Sequence, residues 1–136
     1  TIIGNGRLEK NIKRNKQIRI INFLSPELLA KEIEKYGCFI LPSRLEQWGL
    51  VLQEFAIAGY PIICSDACGA APEFVIRNYN GFTFQSNNIT DLERQMLKMI
   101  NMNDSDLKLF AERSHFIGQK ITPQISASNF LSVLSN

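Results

Sequence analysis

The fold is decided by residues 38–64, which read CFILPSRLEQWGLVLQEFAIAGYPIIC. Both ends of this stretch, Cys38–Leu41 and Pro61–Cys64, are apolar runs of strand length, and strands that are apolar on both faces are typical of parallel sheets. Between them, Leu50–Ala58 predicts a helix, and Gly59 follows at the position where glycine commonly ends one. The stretch therefore predicts two parallel strands connected by a helix.

The same alternation continues outward in both directions. Further strands are predicted at Thr1–Gly4, Ile18–Phe23 and Gly81–Phe84. Helices are predicted at Arg7–Arg14, Pro26–Lys35, Pro72–Arg77, Asp91–Ile100, Asp104–Phe116 and Pro123–Leu134, and Ser25, Asp104 and Thr122 are candidate N-caps. Strands that alternate with helices across short loops predict an α/β fold, a Rossmann-like doubly wound parallel sheet. Ligands of such sheets bind at the carboxyl ends of the strands.

Length and composition narrow the class of protein. The 136 residues are about one domain in length, and 45% hydrophobic and 21% charged residues are ordinary for a globular protein. The 17 Ile and 9 Phe exclude a disordered chain. Apolar runs as short as Cys38–Leu41 predict no membrane-spanning helix. A net charge of +2 is too small to indicate a nucleic-acid partner.

The cysteines and the histidine form no metal-ligand pattern. Cys38, Cys64 and Cys68 include no CxxC pair, so we expect reduced, buried thiols. His115 is the only histidine, and one His without clustered partners makes neither a zinc site nor a catalytic triad. These residues therefore predict no zinc site, and no resident cofactor is expected.

The loop after Cys38–Leu41 carries the strongest candidate for a ligand site. Gly49 stands where a helix begins and, lacking a Cβ, allows close approach to the backbone. The N–H groups of Gly49, Leu50 and Val51 then lie at the positive end of the helix dipole, which favours an anion such as a pyrophosphate.

Two carboxylates flank this helix start. Glu46 precedes it, and Glu54 lies about 7–8 Å along the helix from Gly49. Carboxylates accept hydrogen bonds from vicinal hydroxyls, so the spacing suits a nucleotide sugar, with a ribose on one side of the phosphates and a hexose on the other. The residues alone leave a solvated loop Glu46 and an exposed helix Glu54 equally open. Trp48 is open in the same way, as a core aromatic or as a surface that stacks on a ligand.

Two other strand ends contain glycine. Gly4-Asn5-Gly6 follows the first strand and is either a plain tight turn or part of a ligand site, because the third glycine of a dinucleotide fingerprint is missing. Residues 65–73 form a Gly/Ala-rich loop that ends in Pro72 and Glu73. These residues cap a helix or shape the wall of a crevice.

Taken together, these segments resemble the C-terminal domain of retaining, nucleotide-sugar-dependent glycosyltransferases of the GT-B fold, group 1 or family 4. The matching segments are Phe39–Ser43, Glu46–Val51, Glu54–Ile63, Asp66, Gly69, Pro72, Glu73 and Asn80-Gly81, within a resemblance that covers Ile2–Leu97. They include an E-x7-E pattern formed by Glu46 and Glu54. Phe55 and Ala70 depart from the family pattern, which usually has Ala and Gly there.

The resemblance implies a role for each matching residue. Glu46 would be catalytic and contact the transferred sugar, and Glu54 would hold the ribose hydroxyls. The backbone of Gly49, Leu50 and Val51 would meet the diphosphate, and Leu24 would lie along the nucleobase. Ser43 and Trp48 complete the expected donor site. The family transfers a hexose to an acceptor hydroxyl with retained anomeric configuration, and needs no metal.

The resemblance also implies an incomplete enzyme. We expect residues 1–136 to be one C-terminal donor-binding domain that lacks its first strand–helix unit, its Arg/Lys phosphate grip and the N-terminal acceptor domain, and that is inactive alone. The expected partners are a nucleotide-sugar donor such as a UDP- or GDP-hexose and a glycan or lipid-linked acceptor. The expected location is the cytoplasm, including the inner membrane face.

Two alternatives remain. One is a non-catalytic or degenerate partner domain of an active transferase, against which the intact Glu46, Gly49 and Glu54 argue. The other is a sugar-nucleotide epimerase of related architecture. The E-x7-E spacing in its loop–helix setting favours the transferase over the epimerase.

Overall fold

A computed structural model describes residues 1–12 and 16–134 of the chain. It divides into two compact units, Thr1–Tyr36 and Gly37–Asn136. Both units contain parallel strands and helices, which confirms the predicted α/β class. The strands form a two-stranded sheet and a three-stranded sheet, where the sequence predicted a single one. That all 136 residues make one domain stays a prediction.

The first unit has short elements. Strand β1 (Ile2–Ile3) pairs in parallel with β2 (Ile20–Ile21), and helix α1 covers Pro26–Ile33. Ser25 stands at the predicted N-cap position of α1 with an extended backbone, but its side chain makes no capping hydrogen bond. The predicted Arg7–Arg14 helix is wrong over its described part, which holds only a 3-10 turn at Glu9–Asn11, and Arg14 lies outside the described residues. This stretch has too few apolar residues to bury a helical face.

Over its described residues, the second unit is a three-stranded parallel sheet with five helices. The strands β3 (Phe39–Leu41), β4 (Ile62–Ser65) and β5 (Gly81–Phe84) pair in that order. Their carboxyl ends share one edge of the sheet. The helices are α2 (Leu50–Ile57), α3 (Ala71–Phe74), α4 (Ile89–Ile100), α5 (Asp104–Gly118) and α6 (Pro123–Leu134).

Both faces of this sheet are buried. Ile62 and Cys64 pack in one cluster with Leu52 of α2, and Ile63 packs in another with Met99 of α4. Successive residues of a strand point to opposite faces, so the apolar β4 supplies both clusters. This arrangement is the Rossmann-like, doubly wound layering that the sequence predicted.

The predicted N-caps of α5 and α6 can be compared with the side chains that cap these helices in the structure. Asp104 is wrong as an N-cap, because the Asn103 side chain accepts the Asp106 N–H at 2.9 Å and Asp104 is already helical. Both residue types favour caps, so sequence alone could not choose between neighbours. The Thr122 hydroxyl accepts the Ile125 N–H at 3.1 Å, as a cap should.

Helix α3 is also shorter than the predicted Pro72–Arg77. It ends at Phe74, and Arg77 bridges to Gly81 instead. The buried Asn80 side chain accepts the Ile76 N–H at 2.7 Å, which holds the chain outside the helix in an irregular turn. A hydrogen bond from a side chain thus replaces the helical one.

Candidate functional site

The loop after β3 is bound to the loop after β4 by backbone hydrogen bonds. Glu46 N–H donates to the Ala67 carbonyl at 3.1 Å, and Gly69 N–H donates to the Glu46 carbonyl at 2.9 Å. Ala70 N–H donates to the Trp48 carbonyl at 2.8 Å. The two loops therefore extend the parallel pairing of β3 and β4 beyond the strands.

Two glycines permit this close approach. A Cβ on Gly69 would lie 2.0 Å from the Gln47 carbonyl oxygen. Gly49 has a left-handed φ of 93°, and a Cβ there would lie 2.8 Å from the Cys68 Sγ. The sequence analysis assigned Gly49 to ligand approach. The structure adds a second requirement, since the protein's own packing excludes a side chain.

Gly49 is the N-cap of α2. Its carbonyl accepts the Leu52 N–H at 2.8 Å. The N–H groups of Gly49, Leu50 and Val51 have no acceptor within residues 1–12 and 16–134, as expected for the first turn of a helix. Unpaired donors at the positive end of a helix dipole favour an anionic ligand.

The two predicted carboxylates lie beside this turn. Glu46 is half-buried, and its Cγ is 3.2 Å from the position a Gly49 Cβ would take. Glu54 is exposed on α2, one turn from its start. Within the described part of the chain, neither carboxylate has a hydrogen bond or ion pair, so both are available to a ligand.

The remaining predicted site residues lie at different depths. Trp48 packs edge-on against Phe74, with ring centroids 6.5 Å apart, and stays 42% exposed, so it lies at the rim and not in the core. Ser43 and Val51 are half-buried and Leu50 is exposed. Leu24 is half-buried in the first unit, and its predicted contact with a nucleobase stays a prediction.

A polar latch, formed by Arg44, Asp66 and Ser86, joins the loops at the carboxyl ends of all three strands. The Ser86 hydroxyl donates to the Arg44 carbonyl at 3.0 Å, and the Ser86 N–H donates to the Asp66 carboxylate at 2.7 Å. Asp66 N–H in turn donates to the Phe84 carbonyl. Sequence analysis missed this latch, although each member follows a strand end, which is a usable signal.

Cys68 makes a contact that the sequence did not predict. Its buried thiol donates to the Trp48 carbonyl, with Sγ 3.0 Å from the oxygen. Burial raises the pKa of the Cys68 thiol, and the Glu46 carboxylate raises it further, so the donor proton is retained at neutral pH. Burial also raises the pKa values of Cys38 and Cys64 to about 12. All three cysteines are free, as predicted, but only Cys64 and Cys68 are buried, whereas Cys38 is half-buried.

His115 has a structural role, since it connects two helices. Its ring nitrogens contact the Ile57 carbonyl and the Gln119 side chain, which ties α5 to the end of α2. Across the described residues, no group of three or more His, Cys, Asp or Glu side chains could hold a metal ion. No described helix combines the length and apolar character needed to cross a membrane.

Comparison with known proteins gives a family match. The sequence model of the family described as Glycosyl transferases group 1 matches residues 1–115. An uncharacterized glycosyltransferase of Methanocaldococcus jannaschii, MJ1178, is 31% identical over 127 residues, which cover 89% of this chain and 36% of that protein. The chain thus spans about a third of that relative.

Solved structures share the fold. TarM superposes with a TM-score of 0.83 at 20% identity, over 99% of this chain and 28% of its own. Anabaena HepE, solved in complex with UDP and glucose, gives 0.71 at 20% identity, over 90% and 33%. The C-terminal domain of the Francisella tularensis group 1 protein LpcC gives 0.62 at 16% identity, over 74% and 52%.

Proposed function

The chain belongs to the group 1 family of glycosyl transferases, and we propose that it is the donor-binding domain of a hexosyltransferase that uses a nucleoside diphosphate sugar. The observation that carries the proposal is the start of α2. There the unpaired N–H groups of Gly49, Leu50 and Val51 follow Glu46 in the chain and precede Glu54, which stands one turn along the helix, and neither carboxylate has a partner in the described chain. Donors for phosphates between acceptors for hydroxyls match the chemistry of a nucleotide sugar.

The proposed reaction transfers the hexose with retained configuration. The bond between the anomeric carbon and the diphosphate oxygen breaks, a bond to an acceptor hydroxyl oxygen forms on the same face, and the hydroxyl proton is released. Negative charge grows on the departing nucleoside diphosphate. The N–H groups at the start of α2 are positioned to stabilise that charge without rearrangement.

Each site residue has a proposed task within this reaction. Glu46 holds the hydroxyls of the transferred hexose and Glu54 those of the ribose. Ser43 and Trp48 line the proposed donor pocket. No metal takes part in the proposal, because the helix start supplies the phosphate donors.

We place the chain in the C-terminal half of a two-domain transferase, since it shares its fold with the solved C-terminal domain of LpcC. The other half would bind a glycan or lipid-linked acceptor in the synthesis of surface glycans or glycolipids. Such an enzyme would work in the cytoplasm, including the inner membrane face.

The test is calorimetric titration of this chain, and of the full-length transferase, with UDP, GDP and ADP. We expect one nucleotide to bind and the Glu54→Gln variant to bind it about tenfold more weakly, because a charged acceptor of the ribose hydroxyls is lost. Glu112→Gln, an exposed carboxylate on α5, is the matched control and should change affinity less than about twofold.

Two results would count against the proposal. Absence of nucleotide binding by both proteins would contradict donor binding altogether. Binding without sugar transfer by the full-length protein would favour the non-catalytic partner domain instead.

A further inference from the structure

The peptide group that joins Trp48 to Gly49 is held from one side. Its carbonyl oxygen accepts two hydrogen bonds, from the Ala70 N–H at 2.8 Å and from the Cys68 thiol at 3.0 Å. Both donors belong to the loop after β4. The carbonyl is therefore fixed toward that loop.

The orientation of the Gly49 N–H follows from this. A trans peptide is planar, and its N–H points opposite to its C=O. Because the Trp48 carbonyl faces the loop after β4, the Gly49 N–H faces away from it. That N–H has no acceptor in the described chain. A carbonyl that accepts two hydrogen bonds also polarises its own peptide group, which makes the attached N–H a stronger donor.

The Cys68 side chain is well placed for this task. It is 1% exposed, and its Sγ lies 2.8 Å from the position of a Gly49 Cβ, so it supports the turn sterically as well. A thiolate could not donate to the carbonyl. The raised pKa of Cys68 keeps the proton in place across the physiological range.

We propose that Cys68 is a positioning residue of the anion-binding turn, whose thiol holds the Trp48 carbonyl and thereby aims the Gly49 N–H at the ligand diphosphate. This inference rests on the proposed function, because the diphosphate belongs to the nucleotide-sugar donor. Cys68 does not touch the ligand itself. It acts through the peptide group between it and the ligand.

The test compares three variants of the chain. Cys68→Ala removes the donor, Cys68→Ser keeps one, and Cys64→Ala removes a thiol from the same buried cluster. For each we would record the Gly49 amide signal by NMR, the free energy of unfolding in urea, and the affinity for UDP, GDP or ADP.

We expect Cys68→Ala to shift the Gly49 amide signal and to weaken nucleotide binding about three- to tenfold, the range of one lost hydrogen bond. Cys68→Ser should return both readouts close to those of the wild type. Cys64→Ala should lower stability and leave both readouts unchanged. A purely structural role would make the two alanine variants alike.

The inference is overturned if Cys64→Ala moves the Gly49 signal as much as Cys68→Ala, or if Cys68→Ser restores nothing. If neither the wild-type chain nor the full-length transferase binds a nucleotide, the proposed function fails by that result alone. The Gly49 amide signal still decides, without ligand, whether Cys68 orients the turn.

Discussion

The turn after β1 and the loop after β3 each contain a glycine of positive φ, but the surroundings of these two glycines differ. Gly4 has a φ of 130°, and a Cβ added to Gly4 or Gly6 would meet nothing within 4 Å. A Cβ on Gly49 or Gly69 would collide with neighbouring atoms. The first turn needs glycine at Gly4 for its backbone angle alone, whereas the second loop also needs it for space. A loop fixed by its neighbours can present donors in a set direction before any ligand arrives.

Burial follows the same division. Among the described residues of Thr1–Tyr36 none is fully buried, and surface polar contacts such as the 2.7 Å Arg19–Glu32 ion pair hold the elements. In Gly37–Asn136, Leu52 and Ile62 are completely inaccessible to solvent. The candidate site therefore stands on the part of the chain with a packed core, which is what a preorganised anion site requires.

The largest expected effect comes from filling the space at Gly69. Gly69→Ala puts a methyl group against the Gln47 carbonyl and should lower the free energy of unfolding by about 3 kcal/mol or more. Gly6→Ala is the matched change in open space and should cost less than about 1 kcal/mol. Urea denaturation followed by the fluorescence of Trp48, the single tryptophan, measures both. Equal losses would break the contrast between the two loops.

A smaller loss of stability is expected when an asparagine that hydrogen-bonds to the backbone is replaced in either unit. The buried Asn80 accepts the Ile76 N–H and donates to the Phe74 carbonyl at 2.9 Å. Asn80→Ala leaves both groups unpaired and should cost about 2–3 kcal/mol. The exposed Asn5 accepts the Phe23 N–H at 2.8 Å, and Asn5→Ala should cost about 0.5–1 kcal/mol, because water replaces the amide. Urea midpoints for the two variants should preserve this order, and the reverse order would contradict it.

The smallest effect concerns two carboxylates that each accept several hydrogen bonds. The Gln85 N–H, then Gln95 and Arg94, lower the pKa of Asp91 to about 2, and Lys35 and Tyr36 lower the pKa of Glu32. A carboxyl group whose pKa is lower in the folded state than in the unfolded state stabilises the fold at pH values above its unfolded pKa, near 4. This contribution to stability is lost as the pH falls toward the folded pKa. Asp91→Asn and Glu32→Gln should therefore each flatten the loss of stability below about pH 4.

Carboxyl-carbon NMR titration checks the two groups directly. The Asp91 midpoint should lie near 2, and the Glu32 midpoint below the 4.5 of a free glutamate. Asp91 is the sharper case because a backbone N–H contributes, whereas Glu32 depends on mobile side chains. An Asp91 midpoint at the ordinary value would show that the Gln85 N–H bond does not persist in solution.

The sequence correctly predicted those strands and helices for which the hydrophobic pattern and the flanking residues indicate the same bounds. Gly81–Phe84 forms the predicted strand with the predicted bounds, and α2 starts at Leu50, where Gly49 marks its beginning. The choice of Asn103 over Asp104 as a cap depends on contacts that local sequence does not encode. The short 3-10 turn at Glu9–Asn11, in place of the described part of the predicted helix, follows from a shortage of apolar residues that the sequence already showed.

In the candidate site, too, contacts between residues that are distant in sequence could not be predicted. Glu46, Gly49 and Glu54 are close in sequence, so their grouping around a helix start follows from the helix alone. Cys68 and the latch of Arg44, Asp66 and Ser86 join segments that are distant in sequence. Their contacts could be predicted only if the order of the strands in the sheet were known. The ligand roles of all these residues stay predictions until binding is measured.

The latch also determines how early the candidate site can form while the chain is being synthesised. Arg44 and Ser86 are 42 residues apart, so the loop that carries Glu46 leaves the ribosome well before the hydroxyl that holds it. At about 5–20 residues per second, that interval is roughly 2–8 s. A nascent chain interrupted between these residues exposes an unfastened loop, and nucleotide added to stalled ribosomes should be retained only after β5 and Ser86 have emerged.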